Sequence, residues 1–124
     1  QRAMGKSYRT LIAWQKAMRL VTGIYKITST FPRSETYGLA SQMRRAAVSV
    51  PSNIAEGFGR YSRPECQQFL RTARGSLAEL ETQVLIAASL NYVDDQIAET
   101  TCRDSEEVGR LVNGLLRYVR SQMK

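Results

Sequence analysis

The fold is decided by the segment Gln42-Met-Arg-Arg-Ala-Ala-Val-Ser-Val-Pro-Ser-Asn-Ile-Ala-Glu-Gly57, which has the periodicity of a single helix. Most of its circumference, roughly 200° at 100° per residue, is apolar. Such a wide apolar arc predicts a helix that buries more than one face, against helices of its own chain or partly against another subunit. The remaining row is polar throughout and consists of Gln42, Arg45, Ser49, Ser52 and Glu56.

Two arginines stand side by side in this segment. Arg44 lies within the apolar arc, and burying an unpaired guanidinium costs on the order of several kcal/mol. We therefore expect Arg44 to meet a carboxylate or backbone carbonyls, inside the bundle or across an interface. Arg45 belongs to the polar row, where Glu56 is the nearest acidic candidate for it.

Pro51 removes one backbone donor from the segment and predicts a bend in the helix axis. Ser49 and Asn53 are polar residues close to this proline. We expect their side chains to bond the carbonyls freed around Pro51, and hydrogen bonding to a ligand is the alternative.

The rest of the chain divides into further helices joined by short connections, without a strand pattern. We expect helices over residues 8–30, from Ser34 or Glu35 to Gly59, from the capping box at Ser62 to Asn91, and from a cap at Asp94 or Asp95 onward. This order predicts an all-α, up-down-up-down four-helix bundle. Residues 8–124 are expected to form one domain, after a disordered or tag-like tail at residues 1–7.

Several groups of residues carry a family resemblance that extends over nearly the whole chain. They are Trp14-Gln-Lys-Ala17, Phe31-Pro32, Leu39, Gln42, Arg44-Arg-Ala-Ala47, Ser49, Pro51-Ser-Asn-Ile-Ala-Glu-Gly57, Arg60 and Ala73-Arg-Gly-Ser-Leu-Ala-Glu-Leu-Glu-Thr-Gln83. Together they resemble the four-helix-bundle family of 23S rRNA intervening-sequence proteins.

The resemblance implies an assembly as well as a fold. A related group, the accessory variability proteins of diversity-generating retroelements, forms pentameric barrels that bind nucleic acid and a reverse transcriptase. By resemblance we expect a homopentameric ring. The residues assigned to the structural motif or the subunit interface are Gln42, Arg44, Arg45, Ser49, Pro51, Asn53, Glu56 and Gly57.

Charge is distributed unevenly along the 124 residues, which carry a formal net charge of +7. Residues 1–74 hold 13 Lys or Arg against three acidic residues, a balance of +10, whereas residues 75–124 hold five against eight, a balance of −3. With a sequence pI near 9.9, this asymmetry indicates a polyanionic partner such as RNA. A solvated face that keeps the protein soluble is the alternative.

Seven basic side chains form the predicted nucleic-acid-binding surface, partly on one polar face of the first helix and partly around the second turn and the start of the third helix. They are Lys16, Arg19, Lys26, Arg60, Arg63, Arg71 and Arg74. On the fourth helix, Arg103, Arg110 and Arg117 recur at seven-residue spacing, and Glu106 precedes Arg110 by four. That spacing predicts a solvent face with ion pairs.

Catalytic and cofactor motifs are missing from the sequence. It has no histidine, which excludes Ser-His and Cys-His pairs and the Glu-x-x-His ligands of di-iron bundles. It also has no phosphate-binding Gly-rich loop. We interpret Glu56 and Arg45 as a structural pair rather than an acid–base pair, and we expect neither an enzyme nor a metal or cofactor.

The location of the protein is predicted from two further absences. The sequence has no stretch of 18 uncharged apolar residues, as a membrane helix needs, and no basic n-region followed by an apolar h-region, as a signal peptide has, so the cytoplasm is expected. Cys66 and Cys102 are then expected to be free thiols, with a disulfide as the alternative.

Taken together, these features predict a non-enzymatic oligomer that binds RNA or structured nucleic acid through phosphate contacts. The alternative is a structural or adaptor oligomer that binds a protein, for example a reverse transcriptase, and has no direct role with nucleic acid.

Overall fold

Four helices follow one another along the chain in a computed structural model that describes residues 8–59 and 62–122. The helices are α1 (Ile12–Thr28), α2 (Leu39–Phe58), α3 (Arg63–Ser89) and α4 (Asp95–Gln122), and the described residues form no strand. Consecutive helices pack on each other, and α1 also packs on α4, which closes the bundle. The all-α, four-helix prediction is confirmed, while the predicted tail at residues 1–7 lies outside the described residues.

The first two helices begin later than predicted. Tyr8–Thr10 forms a separate 3-10 turn, and the extended backbone of Leu11 separates it from α1. A second 3-10 turn at Arg33–Glu35 precedes α2, and the backbone N–H of Leu39 donates to Glu35 Oε1 at 2.8 Å. Glu35 therefore caps α2 from outside the helix instead of forming its first turn.

Glu35 also joins the two connections at this end of the bundle. The hydroxyl of Tyr92 donates to Glu35 Oε2 at 2.8 Å, and the Tyr92 ring packs on Phe31 with centroids 5.2 Å apart. The bonds from the Leu39 N–H and then from Tyr92 lower the pKa of Glu35. Because the pKa is lower in the folded state, the cap stabilises the fold above the ordinary pKa of a glutamate, and this contribution is lost as the pH falls through the lowered value.

The later helix ends agree well with the predicted capping residues. Ser62 Oγ accepts from the Glu65 backbone N–H at 3.1 Å and bonds Glu65 Oε1 at 3.0 Å, which confirms Ser62 as the cap of α3. Asp94 caps α4, since its Oδ1 accepts from the Ile97 N–H at 2.8 Å. Helix α3 ends at Ser89, and Asn91, two residues beyond it, lies in the left-handed region at φ 63°, which asparagine tolerates better than most residues.

Helix α2 is buried on several sides because it lies between α1 and α3. This confirms the prediction made from its wide apolar arc, although Val48 stays 39% exposed. The buried residues of α2 are Ala40, Met43, Ala46, Ala47, Val50, Pro51, Ile54 and Gly57.

Both cysteines are free thiols, as predicted. Cys66 is fully buried under the start of α3, and this burial raises its pKa to about 11. Cys102 is partly buried, and its pKa is raised as well, first by burial and then by Glu81 and Glu106. Since the thiolate is the reactive form, neither cysteine has the character of a nucleophile.

Gly57 and Gly75 play opposite parts in the packing of α2 on α3. A Cβ at Gly57 would lie 3.3 Å from the Cys66 carbonyl oxygen and 3.3 Å from Phe69 Cβ. A Cβ at Gly75 would meet nothing within 4 Å, so the packing of the helices does not require a glycine at this position. Its neighbour Ser76 does make the inter-helix contact, because the hydroxyls of Ser49 and Ser76 are 2.8 Å apart.

We therefore expect Gly57→Val to lower the free energy of unfolding by about 1–3 kcal/mol, because the added methyl groups overpack the contact between the helices. Gly75→Ala is the matched control and is expected to raise it by about 0.5–1 kcal/mol, since alanine loses less backbone entropy in a helix. Urea unfolding of both variants measures this. An unchanged midpoint for Gly57→Val would contradict the close approach of α2 and α3.

Candidate nucleic-acid interface

A concave surface rich in arginine lies between the first half of α3 and the last turns of α4. It encloses about 340 Å³ and is called the arginine groove below. Its lining residues are Gln67, Arg71, Arg74, Asn113, Leu116, Arg117 and Arg120.

The spacing of the arginines explains how the sequence forms the arginine groove. Arg71 and Arg74 are three residues apart on α3, and Arg117 and Arg120 are three residues apart on α4. Residues three apart share one face of a helix, so each pair forms one wall. Leu70, adjacent to Arg71, is fully buried, and so is Val119, adjacent to Arg120.

Two hydrogen bonds cross the α3–α4 seam at this position. Arg74 Nη1 donates to Asn113 Oδ1 at 3.0 Å, and Arg63 Nη1 donates to the Arg120 carbonyl oxygen at 3.4 Å. Both acceptors are uncharged, so these bonds orient the guanidinium groups without neutralising them.

The arginine groove is positively charged, and no acidic residue balances this charge in the part of its lining that the structure describes. None of its seven lining residues is acidic. Within the described ranges, a single ion pair is present, between Lys16 Nζ and Glu107 Oε2 at 3.1 Å. The stretches outside those ranges contain no Asp or Glu in the sequence. Four guanidinium groups thus face one concavity without a carboxylate, an arrangement that attracts phosphate.

The structure brings only some of the predicted basic residues together. Arg71 and Arg74 line the arginine groove. Arg63 does not line it but is hydrogen-bonded to the backbone carbonyl of Arg120, which does. Arg60 lies outside the described residues.

The basic residues of α1 are placed elsewhere. Lys16 and Arg19 line a depression of about 170 Å³ between α1 and α4, together with Asp104 and Glu107. Acidic residues therefore offset the charge of this depression. Lys26 is exposed near the end of α1, at the opposite end of the bundle from the start of α3. The single basic patch drawn from the sequence is thus divided in the structure.

Two functional candidates were missed by the sequence reasoning, Arg117 and Arg120. The regular spacing of the arginines on α4 was interpreted as a face with ion pairs, but within the described residues no ion pair joins Glu106 to Arg110. The available signal was the matching three-residue spacing of Arg71 with Arg74 and of Arg117 with Arg120, on neighbouring antiparallel helices.

Arg44 finds partners inside its own chain. Its Nε donates to Thr28 Oγ1 at 2.8 Å, its Nη2 donates to the Tyr25 carbonyl oxygen at 3.4 Å, and its guanidinium lies 4.6 Å from the centroid of the Tyr25 ring. The predicted carbonyl contact is confirmed, with a hydroxyl and an aromatic ring in place of a carboxylate.

Other motif residues also have local explanations. Asn53 Nδ2 donates to the Ser49 carbonyl at 2.8 Å and to Ser49 Oγ at 2.9 Å. Pro51 has no N–H to donate to the carbonyl four residues earlier, which belongs to Ala47. The Ser49 carbonyl that Asn53 bonds is therefore not the one freed by the proline. Gln42, Arg45 and Glu56 are exposed. The suggested pairing of Arg45 with Glu56 is wrong, because eleven residues of helix separate them by about 16 Å.

A second surface, between α1 and α2, has the opposite character. It is a depression of about 340 Å³, called the apolar groove below, and its lining residues are Tyr8, Trp14, Met18, Val21, Val48, Pro51, Ser52 and Ala55. A further depression beside it contains Tyr37, which is 96% exposed. Within the apolar groove, Met18 is 41% exposed and Val48 is 39% exposed.

Metal and membrane sites receive no support from the geometry. Over the described ranges, no three His, Cys, Asp or Glu side chains are grouped as ligands for a metal ion. Among the helices of those ranges, none combines the length with the apolar character that a membrane-spanning segment requires.

Comparison with known proteins agrees with the fold. One solved structure similar to the chain is a protein of unknown function from the S23 ribosomal protein family of Bacteroides thetaiotaomicron, with a TM-score of 0.77 and 20% identity over 86% of this chain and 99% of that chain. No curated protein matches. The sequence matches the family of 23S rRNA-intervening sequence proteins over residues 9–114. This match spans most of the chain and confirms the resemblance, so the chain belongs to the 23S rRNA-intervening sequence protein family.

Proposed function

We propose that the protein is a non-enzymatic, oligomeric bundle that binds RNA or structured nucleic acid through its phosphates. The observation that carries this proposal is the arginine groove, which gathers four guanidinium groups and no carboxylate. Arginine pairs bidentately with phosphate oxygens and keeps its charge at all physiological pH values. The net charge of +7 favours the same class of partner.

The proposed assembly is a homo-oligomeric ring, with a pentamer favoured by the family resemblance. A ring needs two different surfaces that fit one another, because each subunit contacts its neighbour head to tail. The apolar groove supports one of them. The second is supported by exposed apolar side chains at the end of α3 and the start of α4, namely Leu85, Ile86, Leu90 and Ile97.

The test of nucleic-acid binding is a titration of labelled RNA with the wild-type protein over a series of salt concentrations. If all four arginines of one groove contact phosphates of a single strand, the logarithm of the association constant is expected to fall with that of the salt concentration with a slope of about −3. Undetectable binding at low salt would overturn the proposal. It would leave the protein-binding adaptor as the remaining function for this oligomer.

A further inference from the structure

We propose that the arginine groove binds a compact cluster of phosphate charge, either a terminal phosphomonoester or a di- or triphosphate, in preference to the phosphodiesters of a nucleic-acid backbone. This inference rests on the proposed function and narrows its ligand. Two kinds of ligand carry such a phosphate group: an RNA with a phosphorylated end and a free nucleotide.

Charge density is the first support. Four positive groups face a space of about 340 Å³. Each backbone phosphodiester carries one negative charge, whereas a terminal phosphate carries about −1.5 to −2 at neutral pH and offers three acceptor oxygens. A strand that crosses so small a groove brings too few negative charges to pair with all four arginines. A terminal phosphate or a polyphosphate brings more negative charge into the same space.

The two-walled shape is the second support. Arg71 and Arg74 approach from α3, and Arg117 and Arg120 approach from α4. A phosphate at the end of a chain has sugar on one side only, so both walls can reach its oxygens. A phosphodiester carries sugars on both sides, and these must pass over the walls. Asn113 adds a donor, because its Oδ1 already accepts from Arg74 and its amide N–H groups remain for a ligand.

The third support is that the part of the groove lining which the structure describes offers no surface on which bases could stack. Tracks for single-stranded nucleic acid normally combine cationic groups with aromatic side chains on which bases stack. None of the seven lining residues of the arginine groove is aromatic; its one apolar member is Leu116. The groove therefore recognises phosphate, and a ligand that presents most of its charge at one point gains most from it.

The experiment compares one oligoribonucleotide prepared with a 5′-hydroxyl, a 5′-monophosphate or a 5′-triphosphate, each titrated with the full chain. We expect the triphosphate form to bind about tenfold more tightly than the hydroxyl form, the gain of an additional charge-assisted hydrogen bond. The preference is expected to vanish in Arg117→Gln/Arg120→Gln and to persist in Arg103→Gln/Arg110→Gln. The second variant is the matched control because it also removes two exposed arginines of α4, neither of which lines the groove.

The pH dependence provides an independent readout. The second pKa of a terminal phosphate is about 6, so the advantage of the 5′-monophosphate form is expected to shrink as the pH falls from about 7.5 to 5. The ionisable groups that line the groove from both helices are all arginines, which stay charged over this range. A change in this preference with pH therefore reflects protonation of the terminal phosphate of the RNA and not of the protein.

Free nucleoside triphosphate and inorganic pyrophosphate serve as competitors. If these competitors displace the 5′-triphosphate RNA at concentrations similar to that of the RNA, the proposal is supported and a free nucleotide is the natural ligand. Displacement only by end-phosphorylated RNA supports it with RNA as the source. Equal affinity for all three RNA forms overturns the inference but leaves the proposed function standing, whereas no binding of any form overturns both.

Discussion

The double variant Arg71→Glu/Arg117→Glu is expected to bind RNA at least about a hundredfold more weakly than the wild-type protein at low salt. One substitution lies on each wall of the arginine groove. Together they remove two charge-assisted contacts, each contributing about 1.5–3 kcal/mol, and place carboxylates where phosphates would lie. The measurement is the polarisation of a labelled RNA titrated with each protein.

The control for this prediction has the same change in net charge at another position. Arg103→Glu/Arg110→Glu alters two exposed arginines of α4 that do not line the groove. We expect this control to weaken binding only a few-fold, through the long-range field of the protein. An equal loss in both variants would show that RNA responds to total charge, and the groove would then have no special role. Both variants should keep the unfolding midpoint of the wild type, since the four positions are exposed.

The helical architecture was accessible from the sequence because its signals are local. The wide apolar arc of residues 42–57, the serine at position 62 and the aspartate at position 94 each determine a feature over one or two turns of helix. The start of α2 was predicted too early for a tertiary reason. Glu35 bonds both Leu39 and Tyr92, so the chain there follows a contact with the distant α3–α4 connection.

Only half of the candidate site could be predicted from the sequence, because the site depends on which side chains of α3 and α4 lie beside each other. Residues 75–124 have a net negative charge, so their composition does not point to Arg117 and Arg120 as part of a basic site. Those two arginines belong to the groove because α4 runs antiparallel to α3 beside Arg71 and Arg74. Lys16 illustrates the converse, since it counted toward the basic patch in the sequence but forms an ion pair with Glu107 in the structure.

The substitution Val48→Asp is expected to convert the proposed ring into monomers. Val48 is 39% exposed and lines both the apolar groove and the adjoining depression that contains Tyr37. In an isolated subunit the new carboxylate would remain in contact with water, so folding is expected to be retained. In an assembly that covers the groove, the same carboxylate would be buried without a partner, which costs on the order of several kcal/mol at every interface.

Light scattering coupled to size-exclusion chromatography measures this effect at micromolar concentration. Thr22→Asp is the matched control, because it adds the same charge to an exposed position of α1 that does not line the apolar groove. The wild type and this control are expected to elute as one oligomer, and Val48→Asp as a monomer. A monomeric wild type would refute the ring. An oligomer that survives Val48→Asp would show that the subunit contact lies outside the apolar groove.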